Sequence, residues 1–235
     1  MINYKVITSL FLFFTGVGSL LAQTAVGNND GRQTLIDLKD NHGTYVGLQP
    51  KSEGVKGTPL LFEDMVKANL HLKNGKQHDN VMVNFYPEKA EVFVQLPNKN
   101  VVSPELETIE KVTLDGGNIV YKPRKIDGRL EIVRVLYEDE KEEFIVHQFK
   151  KFQKATVGGA YNTTSNFDEY KDVIYYYVVN NGNLEEIKQN NAGFKSLAGN
   201  DWKTVRSFVK DNNIDWTEPS DALRIYIFAK QELNK

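Results

Sequence analysis

Four histidines are the side chains in this sequence best suited to bind a transition metal or to move a proton near neutral pH. They are His42, His71, His78 and His147, and the chain of 235 residues has no cysteine that could add a thiolate ligand. His71 and His78 flank one predicted hairpin, but a metal site needs three or four converging ligands. Because no such spacing is present, we predict no metal site, and the absence of a nucleotide motif predicts no bound cofactor.

The carboxylates are densest at positions 138–143, where the sequence EDEKEE lies between two predicted strands. Glycosidase chemistry needs two carboxylates that face each other across a cleft, one of them held protonated. We interpret the run instead as a solvated hairpin tip that discourages edge-to-edge association. No Gly-x-Ser-x-Gly motif is present, so we assign no catalytic residue.

His147 lies in a segment of alternating apolar and polar residues, which predicts a strand. By this alternation His147 shares a face with Ile145 and Phe149. The pattern favours a half-buried core histidine over a general base. A role for His147 or for an unidentified carboxylate in catalysis stays open as an alternative.

Tyr175, Tyr176 and Tyr177 are the candidate partner-binding residues of the chain. Consecutive strand residues point to opposite faces of a sheet, so the three rings must divide between two faces. If helices cover one face, we expect at least one tyrosine to be displayed on the other face or to line a pocket. Exposed aromatic side chains bind glycans or protein partners, and packing in the core or at its rim is the alternative role.

The N-terminus has the pattern of a secretory signal peptide. Lys5 supplies a positive charge, residues 6–21 are mostly apolar, and Ser19 and Ala22 are the small residues before Gln23. We predict cleavage after Ala22, since the apolar core is short for a membrane-spanning helix of about 20 residues. No later segment is long and apolar enough to span, so we expect a soluble mature domain in the periplasm, outside the cell or associated with the outer membrane.

Charge and composition narrow the classes of partner. The chain has 29 basic and 31 acidic residues, a formal net charge of -2, and 40% hydrophobic residues. This is ordinary for a globular domain, and it lacks the basic stripe of a nucleic-acid-binding protein. We expect no nucleic-acid partner.

Hydrophobic periodicity predicts an α+β fold. Alternating segments separated by turn signals such as Asn74-Gly75 predict an antiparallel β-meander over 58–190, in a barrel-like or sandwich-like sheet. Apolar stripes of helical period predict a C-terminal helical pair within 191–235 that packs on the sheet. Residues 1–22 are the signal peptide, and 23–57 form a tether or an edge segment with one short strand near 43–48.

The order of several short motifs is familiar. These motifs are TPLLFED at 58–64, LKNGK at 72–76, the tyrosine-rich strand at 174–179, Asn181-Gly182, KSL at 195–197, WKTV at 202–205 and FVK at 208–210. Over 58–235 the chain resembles small exported proteins of unknown function from the Bacteroidetes. The resemblance implies an envelope or secreted location in a Gram-negative cell, and it brings no catalytic residues.

Together these observations predict an exported, non-enzymatic protein of the cell envelope that binds a protein or a surface polymer. Two alternatives stay open. One is a carrier that holds a small hydrophobic ligand inside a barrel-like sheet, which would need an apolar cavity of about 300 Å³ or more. The other is a hydrolase whose carboxylates the sequence does not identify.

Overall fold

The computed structural model describes residues 44–45, 54–154 and 167–232. It confirms the predicted fold class, because a large and mostly antiparallel sheet precedes helices that pack on it. The predicted signal peptide and His42 lie outside the described residues. Within the predicted N-terminal segment, two short strands are described.

One sheet contains all the strands that the described residues form. Its order is β1-β6-β5-β4-β3-β7-β8-β9-β10-β11-β12, and β2 pairs in parallel with β11. The strands are β1 (Thr44–Tyr45), β2 (Val55–Lys56), β3 (Val66–Leu72), β4 (Gln77–Tyr86), β5 (Glu91–Gln95), β6 (Val101–Ser103), β7 (Ile109–Leu114), β8 (Ile119–Ile126), β9 (Arg129–Glu138), β10 (Glu142–Gln153), β11 (Asp168–Asn180) and β12 (Asn183–Ile187).

The Asn74-Gly75 hairpin forms, but not with the two-residue turn that the dipeptide favours. Gly75 has a φ of 83°, whereas Asn74 is not among the residues with positive φ. The amide of Gly75 donates to the carbonyl of Leu72, and the amide of Leu72 donates to the carbonyl of Lys76. This is a three-residue loop with a glycine bulge. The two-residue form occurs instead at Asn181-Gly182, where φ is 49° and 79°.

The first half of the sheet curls. β6 and β7 lie four positions apart in the strand order, which on a flat sheet is about 19 Å. Only residues 104–108 connect them, and Leu106–Thr108 form a 3-10 turn that advances about 2 Å per residue. The sheet must therefore bring β6 back towards β7, and Leu106 packs inside the curl with Val102 and Ile109.

The helices cover one face of the second half of the sheet. They are α1 (Asn191–Ala198), α2 (Trp202–Asp211) and α3 (Pro219–Ile227), followed by a π-helical turn, Phe228–Glu232. The Asn190 side chain accepts a hydrogen bond from the Ala192 amide and so begins α1. Among the residues described, we find no helix that combines the length and the apolar character needed to cross a membrane.

Three apolar clusters follow from this arrangement. The first fills the curl of β3–β9. The second lies between β9–β12 and the helices, and it includes Phe144, Val146 and Tyr176. The third is small and lies on the opposite face of β8–β12, around Ile145 and Tyr177. Alternate residues of β10 and β11 thus enter two different clusters, which is the period-two pattern of a strand buried on both faces.

Candidate binding surface

A two-stranded ribbon extends from the sheet where β10 and β11 continue beyond the ends of the neighbouring strands β9 and β12. The register of β10 with β9 ends at Val146 opposite Arg134, and β12 pairs with β11 only from Tyr176 onward. Beyond these points β10 and β11 stay paired with each other, from His147 opposite Tyr175 to Gln153 opposite Glu169. We call residues 147–153 and 168–175 the ribbon. Among the described strands, only β2 pairs with the ribbon, along the edge of β11 that faces away from β10, at Asp168 and Glu169.

The three candidate tyrosines divide between the two faces, as their consecutive positions predict. Tyr176 is fully buried under the helices, and its hydroxyl donates to the Trp216 carbonyl at 2.7 Å. Tyr177 is buried in the small cluster on the other face. Tyr175 shares that face and is 40% exposed. The structure thus places Tyr176 and Tyr177 in the core and leaves Tyr175 partly exposed.

Exposed aromatic residues concentrate on the ribbon. Among the described residues, the large hydrophobic side chains classed as exposed are Phe152, Phe167 and Tyr175, at 37%, 50% and 40%. Tyr175 stacks on Phe149 with ring centroids 5.9 Å apart, and Phe152 contacts Tyr170 on the opposite face at 5.3 Å. Phe167, the residue just before β11 and the ribbon, lies beneath the ammonium of Lys56, at 4.6 Å. Both faces of the ribbon therefore display aromatic rings.

We define the ribbon face as the side of the ribbon that displays Tyr175. It contains one row of residues from each strand, and each row consists of every second residue of that strand. The six residues are His147, Phe149 and Lys151 from β10 and Lys171, Val173 and Tyr175 from β11. Of these six, the sequence pattern pointed to Tyr175 as a binding candidate and to His147 as a half-buried core residue beside Phe149, although the alternation of β11 also places Lys171 and Val173 on the side of Tyr175.

His147 and Glu131 meet where β9 and β10 separate. The Nε2 atom of His147 lies 3.8 Å from Oε2 of Glu131, and their side chains are 12% and 9% exposed. Among the described residues, neither of these two atoms has a hydrogen-bond partner. Arg129 holds the other carboxylate oxygen of Glu131 at 3.1 Å. The histidine is thus largely buried, as its strand position predicts, beside a carboxylate that the alternation of β10 does not reveal.

The charge states of this pair are set chiefly by burial. Loss of hydration, with a smaller contribution from Arg129, lowers the pKa of His147 to about 4. Burial raises the pKa of Glu131, against the opposing effect of Arg129. At neutral pH His147 is therefore a neutral imidazole, and its separation from Glu131 is too long for a hydrogen bond.

His71 and His78 do not converge on a common ligand. Leu70 is paired with His78 across the β3–β4 ladder, so His71, the next residue along β3, points to the other face. His78 is buried at 3% exposure. Over the described ranges, no group of three or more potential ligands of the His, Cys, Asp or Glu type is close enough to hold a metal ion.

The acidic tip is more ordered than the expected solvated run. Asp139 accepts hydrogen bonds from the amides of Lys141 and Glu142 and from the Tyr137 hydroxyl, each at 2.8 Å. These bonds, the one from the Lys141 amide foremost, lower the pKa of Asp139. Glu143 forms a two-point ion pair with Arg124, both contacts at 2.7 Å. The prediction of a solvated tip holds for residues 138–141, which are exposed, whereas Glu142 and Glu143 are partly buried and bonded to donors.

A polar cleft of about 330 Å³ lies between this tip and α3. Its lining consists of Tyr137, Asp139, Lys141, Glu142, Asn180, Tyr226 and Lys230. The Glu142 carboxylate accepts bonds from the Tyr226 hydroxyl, from Asn180 at 3.1 Å and from Lys230 at 3.3 Å. Burial, followed by the bond to Glu142, raises the pKa of Tyr226. These contacts connect the C-terminal helix to the tip, and they make the cleft a structural junction.

Replacing Tyr226 with phenylalanine will lower the free energy of unfolding by about 1.5–3 kcal/mol, the usual contribution of a hydrogen bond to a charged group. Glu142 is only 13% exposed, so water cannot fully replace the lost donor. Tyr137→Phe is the matched control, because Tyr137 donates to the exposed Asp139. Urea unfolding of both variants should show the larger loss for Tyr226→Phe, and equal losses would contradict the structural role of Glu142.

Comparisons with known proteins add no further assignment. Against protein-family models, curated proteins and solved structures, the chain has no significant match.

Proposed function

We propose that this chain is an exported, non-enzymatic protein of the cell envelope and that the ribbon is its contact surface for a protein or surface polymer. The observation that carries the proposal is the concentration of exposed aromatic side chains on the ribbon. Aromatic residues are enriched in the energetically dominant positions of binding surfaces. The signal-peptide pattern at the N-terminus and the resemblance to exported Bacteroidetes proteins support the location.

Other features of the described structure fit this proposal. The carboxylates of the polar cleft accept hydrogen bonds from side chains and amides that hold the fold together. The cleft is also lined by four ionisable side chains of Asp, Glu and Lys type, and a carrier of hydrophobic ligands needs an apolar lining. The observed geometry thus supports binding through the ribbon better than it supports either alternative.

Loss of the exposed rings will weaken association with the envelope. The mature protein, starting at Gln23, is mixed with envelopes isolated from its own cells, and the bound fraction is measured by co-sedimentation. We expect the double variant Tyr175→Ser/Phe152→Ser to raise the apparent Kd at least tenfold, because truncation of a dominant contact costs more than about 1.4 kcal/mol.

Tyr175→Phe is the matched control for this experiment, since it keeps a ring at the same position and should bind like the wild type. The circular dichroism spectrum of each variant must match that of the wild type. Wild-type binding by the double variant would show that the ribbon is not the contact surface, and recovery of the native protein only in the cytoplasm would contradict the proposed location.

A further inference from the structure

The ribbon face is a compact array of two rows and three columns. His147 lies opposite Tyr175, Phe149 opposite Val173, and Lys151 opposite Lys171. Residues two apart along a strand are about 6.6 Å apart, so the array is about 13 Å long. One end is aromatic and the other end is cationic.

The cationic end carries a cost to the fold itself. Like charges directly opposite each other on a sheet are destabilising, and Lys151 and Lys171 are such a pair. Lys171 forms an ion pair with Glu169 at 3.0 Å. Lys151 is exposed and forms no ion pair with the described residues. An anionic group placed between the two ammonium groups would relieve their repulsion.

The aromatic end offers a flat apolar surface. Tyr175 and Phe149 stack with an angle of 29° between their ring planes, and Tyr175 is 40% exposed. Val173 lies opposite Phe149 and between Tyr175 and Lys171 along β11, and it is only partly buried. A ligand that matches the array needs an apolar flat surface and an acidic group within about 13 Å of each other.

We propose that the ribbon face binds an acidic polysaccharide, with a sugar ring over Tyr175 and an acidic group between Lys151 and Lys171. This inference rests on the proposed function and names the chemical class of its partner. Sugar rings combine an apolar face with polar edges, and an aromatic ring with a polar tip suits such a surface. The paired ammonium groups supply the charge complementarity that distinguishes an acidic polymer from a neutral one.

Affinity electrophoresis tests this with polygalacturonate as the acidic probe and dextran as the neutral one. We expect polygalacturonate, and not dextran, to retard the wild-type mature protein. Lys151→Gln/Lys171→Gln and Tyr175→Ser should each weaken retardation at least fivefold. Retardation of the wild type should fall between 0.05 and 0.5 M salt, because salt screens exposed charges, and the lysine variant should depend less on salt.

Lys67→Gln is the matched control, since Lys67 is an exposed lysine within β3 and lies off the ribbon. It should be retarded like the wild type. Equal retardation of the Lys151→Gln/Lys171→Gln variant and the wild type would overturn the inference, as would equal retardation by dextran.

The same variants separate this inference from the broader proposal. If Tyr175→Ser reduces envelope association but polygalacturonate does not retard the wild type, the ribbon is a contact surface for another class of partner and the inference is wrong. An acidic polypeptide, polyglutamate, is included as a further probe. Retardation by polyglutamate alone would identify a protein-like partner and would also contradict the polysaccharide assignment.

Discussion

A Tyr176→Ala variant will lose about 3–5 kcal/mol of its free energy of unfolding, the range observed when a large buried aromatic side chain is truncated. Tyr176 is fully buried, and its ring stacks on Phe144 at 5.7 Å. Its hydroxyl also holds the Trp216 carbonyl at 2.7 Å, so the truncation leaves both a cavity and an unpaired acceptor. Small domains are stable by only about 5–15 kcal/mol, and the variant should therefore be close to unfolding.

Two further substitutions separate the effect of the buried Tyr176 ring from the effects of its hydroxyl and of the neighbouring Tyr175 ring. Tyr175→Ala removes a ring that is 40% exposed and should change the free energy of unfolding by no more than about 0.5 kcal/mol. Tyr176→Phe keeps the buried ring and loses only the hydrogen bond, which costs about 0.5–1.5 kcal/mol. This variant remains measurable if Tyr176→Ala does not fold.

Urea unfolding followed by circular dichroism gives the three free energies on one scale. The order of loss should be Tyr176→Ala, then Tyr176→Phe, then Tyr175→Ala. A loss below about 1 kcal/mol for Tyr176→Ala would contradict the packing of the helices on this face of β11. A large loss for Tyr175→Ala would instead give that ring a structural role and would remove the basis of the binding proposal.

The division of the tyrosines shows what a sequence pattern can determine. The alternation of a strand is a local property, so it predicts that Tyr176 and Tyr175 point in opposite directions. The apolar stripe of the last helix predicts that one face of the sheet is covered, because Ala222 and Ile225 cannot stay in water. Local periodicity thus predicted the fold class and the division of the three rings between two faces, but not that Tyr175 is exposed while Tyr177, on the same face, is buried.

Contacts between distant segments escaped the same reasoning. The parallel pairing of β2 with β11 joins residues more than a hundred positions apart, for example Val55 and Asp168. The return from β6 to β7 depends on the curl of the whole first half of the sheet. Neither feature leaves a local pattern of residues, so periodicity could not predict them.

The ribbon face and the Glu131–His147 pair were missed for a related reason. Alternation shows which residues of one strand share a face, but the neighbours of that face depend on the register between strands. A register shift between Phe144 and Ile145 lies close to the point where β9 and β10 separate. One shifted residue changes every later contact along a strand, so the meeting of Glu131 with His147 required the folded chain.

His147 will make the fold sensitive to acid. Burial lowers the pKa of His147 to about 4, whereas an unfolded histidine has a pKa of about 6.5. Between these two values the unfolded chain binds a proton that the folded chain does not, so the free energy of unfolding falls as the pH falls. The loss across this window is roughly 3 kcal/mol at 1.36 kcal/mol per unit of pKa.

Glu131 will act in the opposite direction. Burial raises the pKa of Glu131 above its ordinary value, so the folded state takes up a proton on this carboxyl more readily than the unfolded state does. As the pH falls through this raised pKa, the contribution of Glu131 to the free energy of unfolding therefore increases. Arg129 faces both groups, and Arg124, which lies opposite Glu131 in the sheet, is held by Glu143. The two opposing contributions come from groups only 3.8 Å apart.

Two substitutions separate these contributions. The His147→Gln substitution removes the imidazole that resists protonation in the folded state. Between pH 7 and pH 4, the free energy of unfolding of this variant should therefore decline by roughly 3 kcal/mol less than that of the wild type. Glu131→Gln removes the compensating carboxyl and should decline more steeply than the wild type. Urea unfolding at intervals of half a pH unit measures both slopes. Parallel curves for the wild type and His147→Gln would mean that the imidazole is hydrated in the native fold, and the burial of His147 beside Glu131 would then be wrong.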